Sequence, residues 1–140
     1  MRVSLKSLGI KLGEQIGAGG MAEVYKATVQ GPSGFLKTVA VKMVKNGLAD
    51  SAEYRALFLA EARLTAKLNH SNIAQVYQAG TENGAPYIVM EYIDGRPLKQ
   101  VIDGQELTRH ENFATNLDIA KQILLGLDYA HNFQDPETKK

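Results

Sequence analysis

Three stretches near the amino end alternate apolar with polar residues or are rich in β-branched ones: Ile10 to Ile16, Val24 to Val29 and Leu36 to Val44. Side chains of an extended chain point to opposite faces in turn, so these runs predict strands, and the Gly-rich and Gly-Pro-Ser segments between them predict turns. From about Glu53 to Asn69 the period becomes helical, with Leu57, Leu64 and Leu68 at i, i+7 and i+11 and Asn69 suited to a stop. Two short strands follow, near Ile73 to Gln78 and Tyr87 to Tyr92, and the Asn-Gly pair in Thr81-Glu82-Asn83-Gly84 suits a hairpin between them. Ile93-Asp94-Gly95-Arg96-Pro97 breaks this pattern, and everything beyond reads as helix. The longest apolar stripe is Phe113, Leu117, Ala120, Leu124 and Leu127, on a helix from about Glu111 to Phe133. Strands, helix, strands, linker and helices in that order predict an α+β fold with a composition shift near Asp94.

Composition narrows the classes of partner. A chain of 140 residues with 44% hydrophobic and 22% charged positions supports one real core. Sixteen basic residues against fifteen acidic ones, with no block of like charges, leave nothing for nucleic acid to hold, and none is expected as a partner. The lack of cysteine excludes disulfides, thiolate zinc sites and a cysteine nucleophile, and fits a cytoplasmic location. The amino end lacks the apolar run of a signal peptide, and no window approaches the roughly 18 apolar residues of a membrane span. An anchor beyond Lys140 is left open. The three histidines have no ligand spacing, so no metal site is expected.

The densest chemical signal is Gly17-Ala18-Gly19-Gly20-Met21-Ala22-Glu23-Val24, three glycines in four residues between two strands. Glycine lets backbone N–H groups approach a phosphate with no Cβ in the way, although a plain hairpin turn has the same look. A dinucleotide fingerprint would need a helix directly after the glycines, and a P-loop would need a Lys-Ser/Thr ending. Neither is present. The run after the glycines is instead β-branched and alternating, which makes a strand-turn-strand flap. Downstream, Val39-Ala40-Val41-Lys42 puts Ala40 and Lys42 on one face of a strand, with Val39, Val41 and Met43 on the other. Glu61 follows Leu57 by four and precedes Leu64 by three, so it lies in the apolar stripe of its helix. A carboxylate there is costly unless paired, and Lys42 is the candidate partner, although Glu61 at the rim of the stripe could instead reach water.

The flap with Gly-x-Gly-x-x-Ala-x-Val, the Val-Ala-Val-Lys strand and the helix glutamate together resemble the amino-terminal part of a bacterial Hanks-type Ser/Thr protein kinase, with Ala22 where the family pattern has its third glycine. Leu68-Asn69-His70-Ser71-Asn72-Ile73 is similar to the family's turn after that helix, which makes His70 a structural residue. Tyr87-Ile88-Val89-Met90-Glu91-Tyr92-Ile93-Asp94-Gly95 is similar to its last small-lobe strand and hinge. The likeness covers about residues 9 to 133. It implies a small lobe over residues 1–93, with a five-stranded antiparallel sheet and one αC-type helix. Residues 94–140 become the linker and first helices of an incomplete large lobe.

By that resemblance the flap residues Gly17, Ala18, Gly19, Gly20, Met21 and Ala22 cover ATP phosphates, which Lys42, held by Glu61, contacts. Ile16, Val24 and Ala40 sandwich the adenine, Met90 closes the back of its pocket, and the Glu91 C=O and Ile93 N–H bond its edge. Each apolar member of this set is also an ordinary core candidate. The family's His-Arg-Asp loop, its Asn and the Asp-Phe-Gly aspartate do not occur in the 140 residues. The Mg²⁺ ligands are thus expected downstream, and no turnover is expected of this polypeptide alone. A truncated kinase-like binding or scaffold module, or an unrelated α+β domain, stays open on sequence alone. The apolar helix stripe predicts self-association through residues 113–131.

Overall fold

The computed structural model describes residues 5, 8–45, 47–104 and 113–134. They form five strands and three α-helices, with a 3-10 turn at Pro32–Gly34: β1 Ile10–Ala18, β2 Ala22–Gln30, β3 Leu36–Val44, α1 Ala52–Thr65, β4 Val76–Glu82, β5 Ala85–Glu91, α2 Leu98–Asp103 and α3 Phe113–Asn132. The strands make one antiparallel sheet in the order β1-β2-β3-β5-β4. This is the expected α+β, protein-kinase-like arrangement. The chain divides into two compact units, Met1–Asn69 with Ala74–Tyr92, and His70–Ile73 with Ile93–Lys140.

In the first unit, alternation along β3 splits the sheet into two faces. Val39 and Val41 join Ile10, Ala27, Tyr87 and Val89 in one core cluster, which Leu5 also enters. Val44 faces the other way, where Phe58 and Ala62 of α1 pack with Ala22 and Ile88. The helix starts at Ser51, whose hydroxyl accepts from the Tyr54 N–H at 3.5 Å, a capping role that serine fills well. It ends at Thr65, four residues short of the expected stop at Asn69. The Lys67 and Leu68 N–H groups bond back three residues, to Leu64 and Thr65, and so tighten the last turn rather than extend the helix.

The stripe expected to carry α1 is not the one that packs. Leu57 and Leu64 are 57% and 69% exposed, whereas Phe58 and Ala62, four apart, are buried. Strands β4 and β5 also shift from their expected positions. Asn83 and Gly84 take φ of 50° and 88°, the left-handed pair of a two-residue hairpin turn, so Glu82 pairs with Ala85 at once and both strands run to the turn. Ile73 stays outside β4, its N–H bonded to the His70 carbonyl at 3.0 Å.

In the second unit, the turn 70–73 lies against α3. The Asn72 side-chain amide donates to the Gln122 carbonyl at 2.9 Å, and the His70 ring stacks on Tyr129 with centroids 5.1 Å apart. A Cβ on Gly126 would come within 3.3 Å of the Asn72 carbonyl oxygen, so glycine permits this approach. His70 Nδ1 accepts from the Asn72 N–H at 3.1 Å, the structural turn role expected of it. The stripe Phe113, Leu117, Leu124 and Leu127 is exposed, and Gly126 is the buried residue of α3. The expected start of this helix at Glu111 lies outside the described residues, as do Asn112 and His110.

Candidate functional site

The glycine-rich segment is the turn between β1 and β2. Gly17 pairs with Val24 and Ala18 with Glu23, and the Gly19 N–H donates to the Ala22 carbonyl at 2.8 Å. The Lys45 N–H donates to the Met21 carbonyl at 3.1 Å, which ties the turn to the end of β3. The hairpin itself has no use for glycine at its tip. Gly19 and Gly20 are not among the positive-φ glycines, a Cβ on Gly20 would meet nothing within 4 Å, and one on Gly19 would meet only the Ala22 carbonyl oxygen at 3.8 Å. What glycine adds here is bare backbone, open to a ligand from outside.

Lys42 sits mid-strand, between Val24 of β2 and Ile88 of β5 in register. Its Nζ lies 2.6 Å from Glu61 Oε1 and 5.6 Å from the centre of the Phe58 ring. The pair is not buried: 25% of the Lys42 side chain and 50% of that of Glu61 are exposed. The expectation that Glu61 sits in a core-facing stripe is therefore corrected. It leaves α1 at the border of the stripe that Phe58 and Ala62 form, where its carboxylate keeps contact with water. An ion pair this exposed adds about 0–1 kcal/mol to stability. Its larger effect is to hold the lysine in one direction.

Flap, lysine and glutamate converge on a hollow of about 380 Å³, lined by Gly19, Gly20, Met21, Lys42, Leu57 and Glu61, among others. Ala18, Ala22 and Val24 also line it, while Ile16, Gly17, Ala40, Met90 and Glu91 do not. Ile16 is 45% exposed, Ala40 is buried, and Met90 packs against the α1-side core. Ala40 lies between Lys26 and Met90 in register. Glu91 is fixed at the end of β5: its carboxylate accepts from the Gln75 N–H at 3.1 Å and its own N–H donates to the Gln75 carbonyl at 2.8 Å. Ile93, 61% exposed, belongs to the second unit.

Helix α1 adds a wall made by Tyr54, Leu57 and Phe58, of which only Leu57 belongs to the expected stripe. Their spacing to Glu61, seven, four and three residues, was the available signal. Lys26 stands outside the hollow. Its Nζ lies 4.7 Å from the centre of the Tyr92 ring, and its place two residues after Val24 puts it on the Ala40 face. At the root of the flap the Tyr25 hydroxyl donates to the Glu23 carboxylate at 2.8 Å, which raises the phenol above its usual 10. Among the described residues no three His, Asp or Glu side chains gather as a metal site would need.

A five-stranded antiparallel sheet with one packed helix, and a strand lysine joined to a helix glutamate, make a fold of the protein-kinase small-lobe kind. Residues 10–134 match the family model described as the protein kinase domain, and the chain belongs to that family. It is similar to a probable serine/threonine-protein kinase of Clostridium acetobutylicum, at 37% identity over 86% of this chain and 18% of the relative. Serine/threonine-protein kinase PrkC of Bacillus subtilis is 36% identical over 85% of the chain and 17% of its own length. Tyrosine-protein kinase MasK of Myxococcus xanthus is 32% identical over 85% and 19%. The chain thus spans less than a fifth of the length of these relatives. Among the described residues, no helix is long and apolar enough to cross a membrane.

Proposed function

We propose that this chain supplies the ATP-binding part of a serine/threonine protein kinase, which passes the γ-phosphate of ATP to protein hydroxyls. The observation that carries the reading is the convergence of Lys42, Glu61 and a flap whose tip glycines the fold itself does not need. Lys42, oriented by Glu61, binds the α- and β-phosphates, and the backbone from Gly17 to Ala22 lies over them. Val24, Ala40 and Ile16 enclose the adenine, with Met90 behind it and the Glu91 carbonyl at its edge. Residues of this chain bind and orient the nucleotide. Among the described residues no group of His, Asp or Glu makes a site for the Mg²⁺ that accompanies ATP in this family.

The serine/threonine assignment follows the names of most of the similar proteins, and the match to a tyrosine kinase makes the hydroxyl class part of the test. Titration of the chain with a fluorescent ATP analogue is expected to show saturable binding that Lys42→Met and Gly19→Val weaken. Binding that both variants leave unchanged overturns the site. In the full-length protein, phosphotyrosine rather than phosphoserine or phosphothreonine in the product overturns the hydroxyl class alone. A cytoplasmic location fits the same reading. The exposed leucines of α3 favour a second proposal, that this face is covered by further protein and, in a preparation of the chain by itself, by a second copy. Light scattering that gives the mass of a monomer at high concentration overturns it.

A further inference from the structure

Strand β4 is the outer strand of the sheet beyond β5. The turn at Asn83-Gly84 sets Glu82 opposite Ala85, and strict alternation from that pair directs the backbone groups of Gly80 and Gln78 toward β5. Those of Ala79 and Thr81 are then directed away from the sheet. Among the described residues neither has a backbone hydrogen bond outside its own strand pair. Edges of this kind are usually guarded by lysine or proline. Val76–Glu82 has neither, and its centre is the small pair Ala79-Gly80.

Each face of the sheet has a hollow that reaches β4. On the α1 side about 440 Å³ lies between helix and strand, lined by Leu59, Ala62, Ala66 and Val76, with Arg63 beside them. On the opposite face about 260 Å³ extends from Leu8, Ile10 and Val29 across the sheet to Tyr77 and Gln78 of β4, with Lys37 between them. The Lys37 Nζ lies 3.9 Å from the centre of the Tyr77 ring. Each hollow therefore has one cation. The single acid on β4, Glu82, already accepts the Leu5 N–H at 2.7 Å.

We propose that the β4 edge docks an extended, acidic peptide segment of another protein, which adds to the sheet as a sixth strand. Side chains of an added strand point alternately to the two faces, so apolar residues enter the α1-side hollow and carboxylates meet Lys37 on the other. The backbone bonds go to Ala79 and Thr81. Nothing in this docking involves the nucleotide hollow, which lies under the flap at another part of the sheet.

The probe is a short peptide alternating valine and glutamate, titrated into the isotope-labelled chain and followed by amide resonances. Saturable shifts at Ala79 and Thr81 are expected, and the same peptide N-methylated at alternate amides is expected not to bind. Ala79→Pro removes an outward donor and leaves the β4–β5 ladder intact, so it should abolish binding while most other resonances stay in place. Lys37→Glu should weaken binding about tenfold or more. The N-methylated peptide needs no variant of the chain and keeps the test valid if Ala79→Pro fails to fold. Absence of shifts at millimolar peptide, or equal binding of the N-methylated or a valine-lysine peptide, overturns the proposal. So do shifts at Ala79 and Thr81 that follow protein concentration without peptide, since a second copy then fills the edge.

Discussion

The two faces of β3 are a single step apart along the sequence, and both meet apolar clusters, but only one of them also holds a charged pair. Val39 and Val41 are 1% and 0% exposed in a closed apolar cluster, while Lys42, the residue after Val41, faces α1 with a quarter of its side chain open. One face packs into a single apolar cluster, while the other sets the Lys42–Glu61 pair beside a second cluster of Ala22, Val44, Phe58 and Ala62, because the pleat sends neighbouring residues to opposite sides. A strand thus carries fully buried valines and a partly open charged pair at adjacent positions. Substitutions one position apart should separate the two properties.

The widest separation is expected from Lys42→Met. In the full-length protein it should lower phosphoryl transfer by about 10²–10³-fold, the usual loss for one preorganised electrostatic contact, and leave thermal unfolding nearly unchanged. A comparable fall in melting temperature would show that the lysine belongs to the core side after all. Its neighbour gives the opposite result: Val41→Ala should cost about 2 kcal/mol in denaturant unfolding, from lost burial plus the cavity left behind, with little direct effect on nucleotide affinity.

Two glycines sharpen the same contrast. A Cβ at Gly80 would meet the Tyr87 hydroxyl at 2.6 Å, so Gly80→Ala should destabilise the sheet by about 1–3 kcal/mol. Gly20 has open space, so Gly20→Val should leave unfolding unchanged and weaken binding of an ATP analogue by roughly tenfold, a loss of about 1.4 kcal/mol. The smallest effect concerns pH. Burial, and then the charge of Glu82, raises the Tyr87 phenol above 10.0. Folding therefore favours its neutral form, a contribution present in full below pH 10 and lost as pH rises through the folded value. Melting temperature should fall more steeply above pH 10 in the parent chain than in Tyr87→Phe.

Much of the fold was legible because it is written in local periods. The bounds of β3 match the expected Leu36 to Val44, and the Asn83-Gly84 hairpin follows from two residues that tolerate left-handed backbone. The flap was legible for a similar reason, since three glycines between β-branched runs leave few alternatives. Less legible was the side on which each helix packs. Leu57, Leu64 and Leu68 make a helical stripe, yet Phe58 and Ala62 meet the sheet. In α3 the leucines that set the period are exposed, and the contact to the turn 70–73 is made at a glycine.

The Lys42–Glu61 contact shows the same division. Residue types and spacing are enough to name the pair, but the carboxylate is not forced inward by an apolar stripe. The pair forms at the border of that stripe with half of Glu61 still open. What the amino-acid order determined by itself was the set of elements, their turns and the residues with chemistry to offer, since these depend on neighbours in the chain. Which face of α1 is buried, how exposed the ion pair is, and that Gly20 stands in open space were decided only when distant segments packed. Burial is a property of what lies opposite, and no local period contains it.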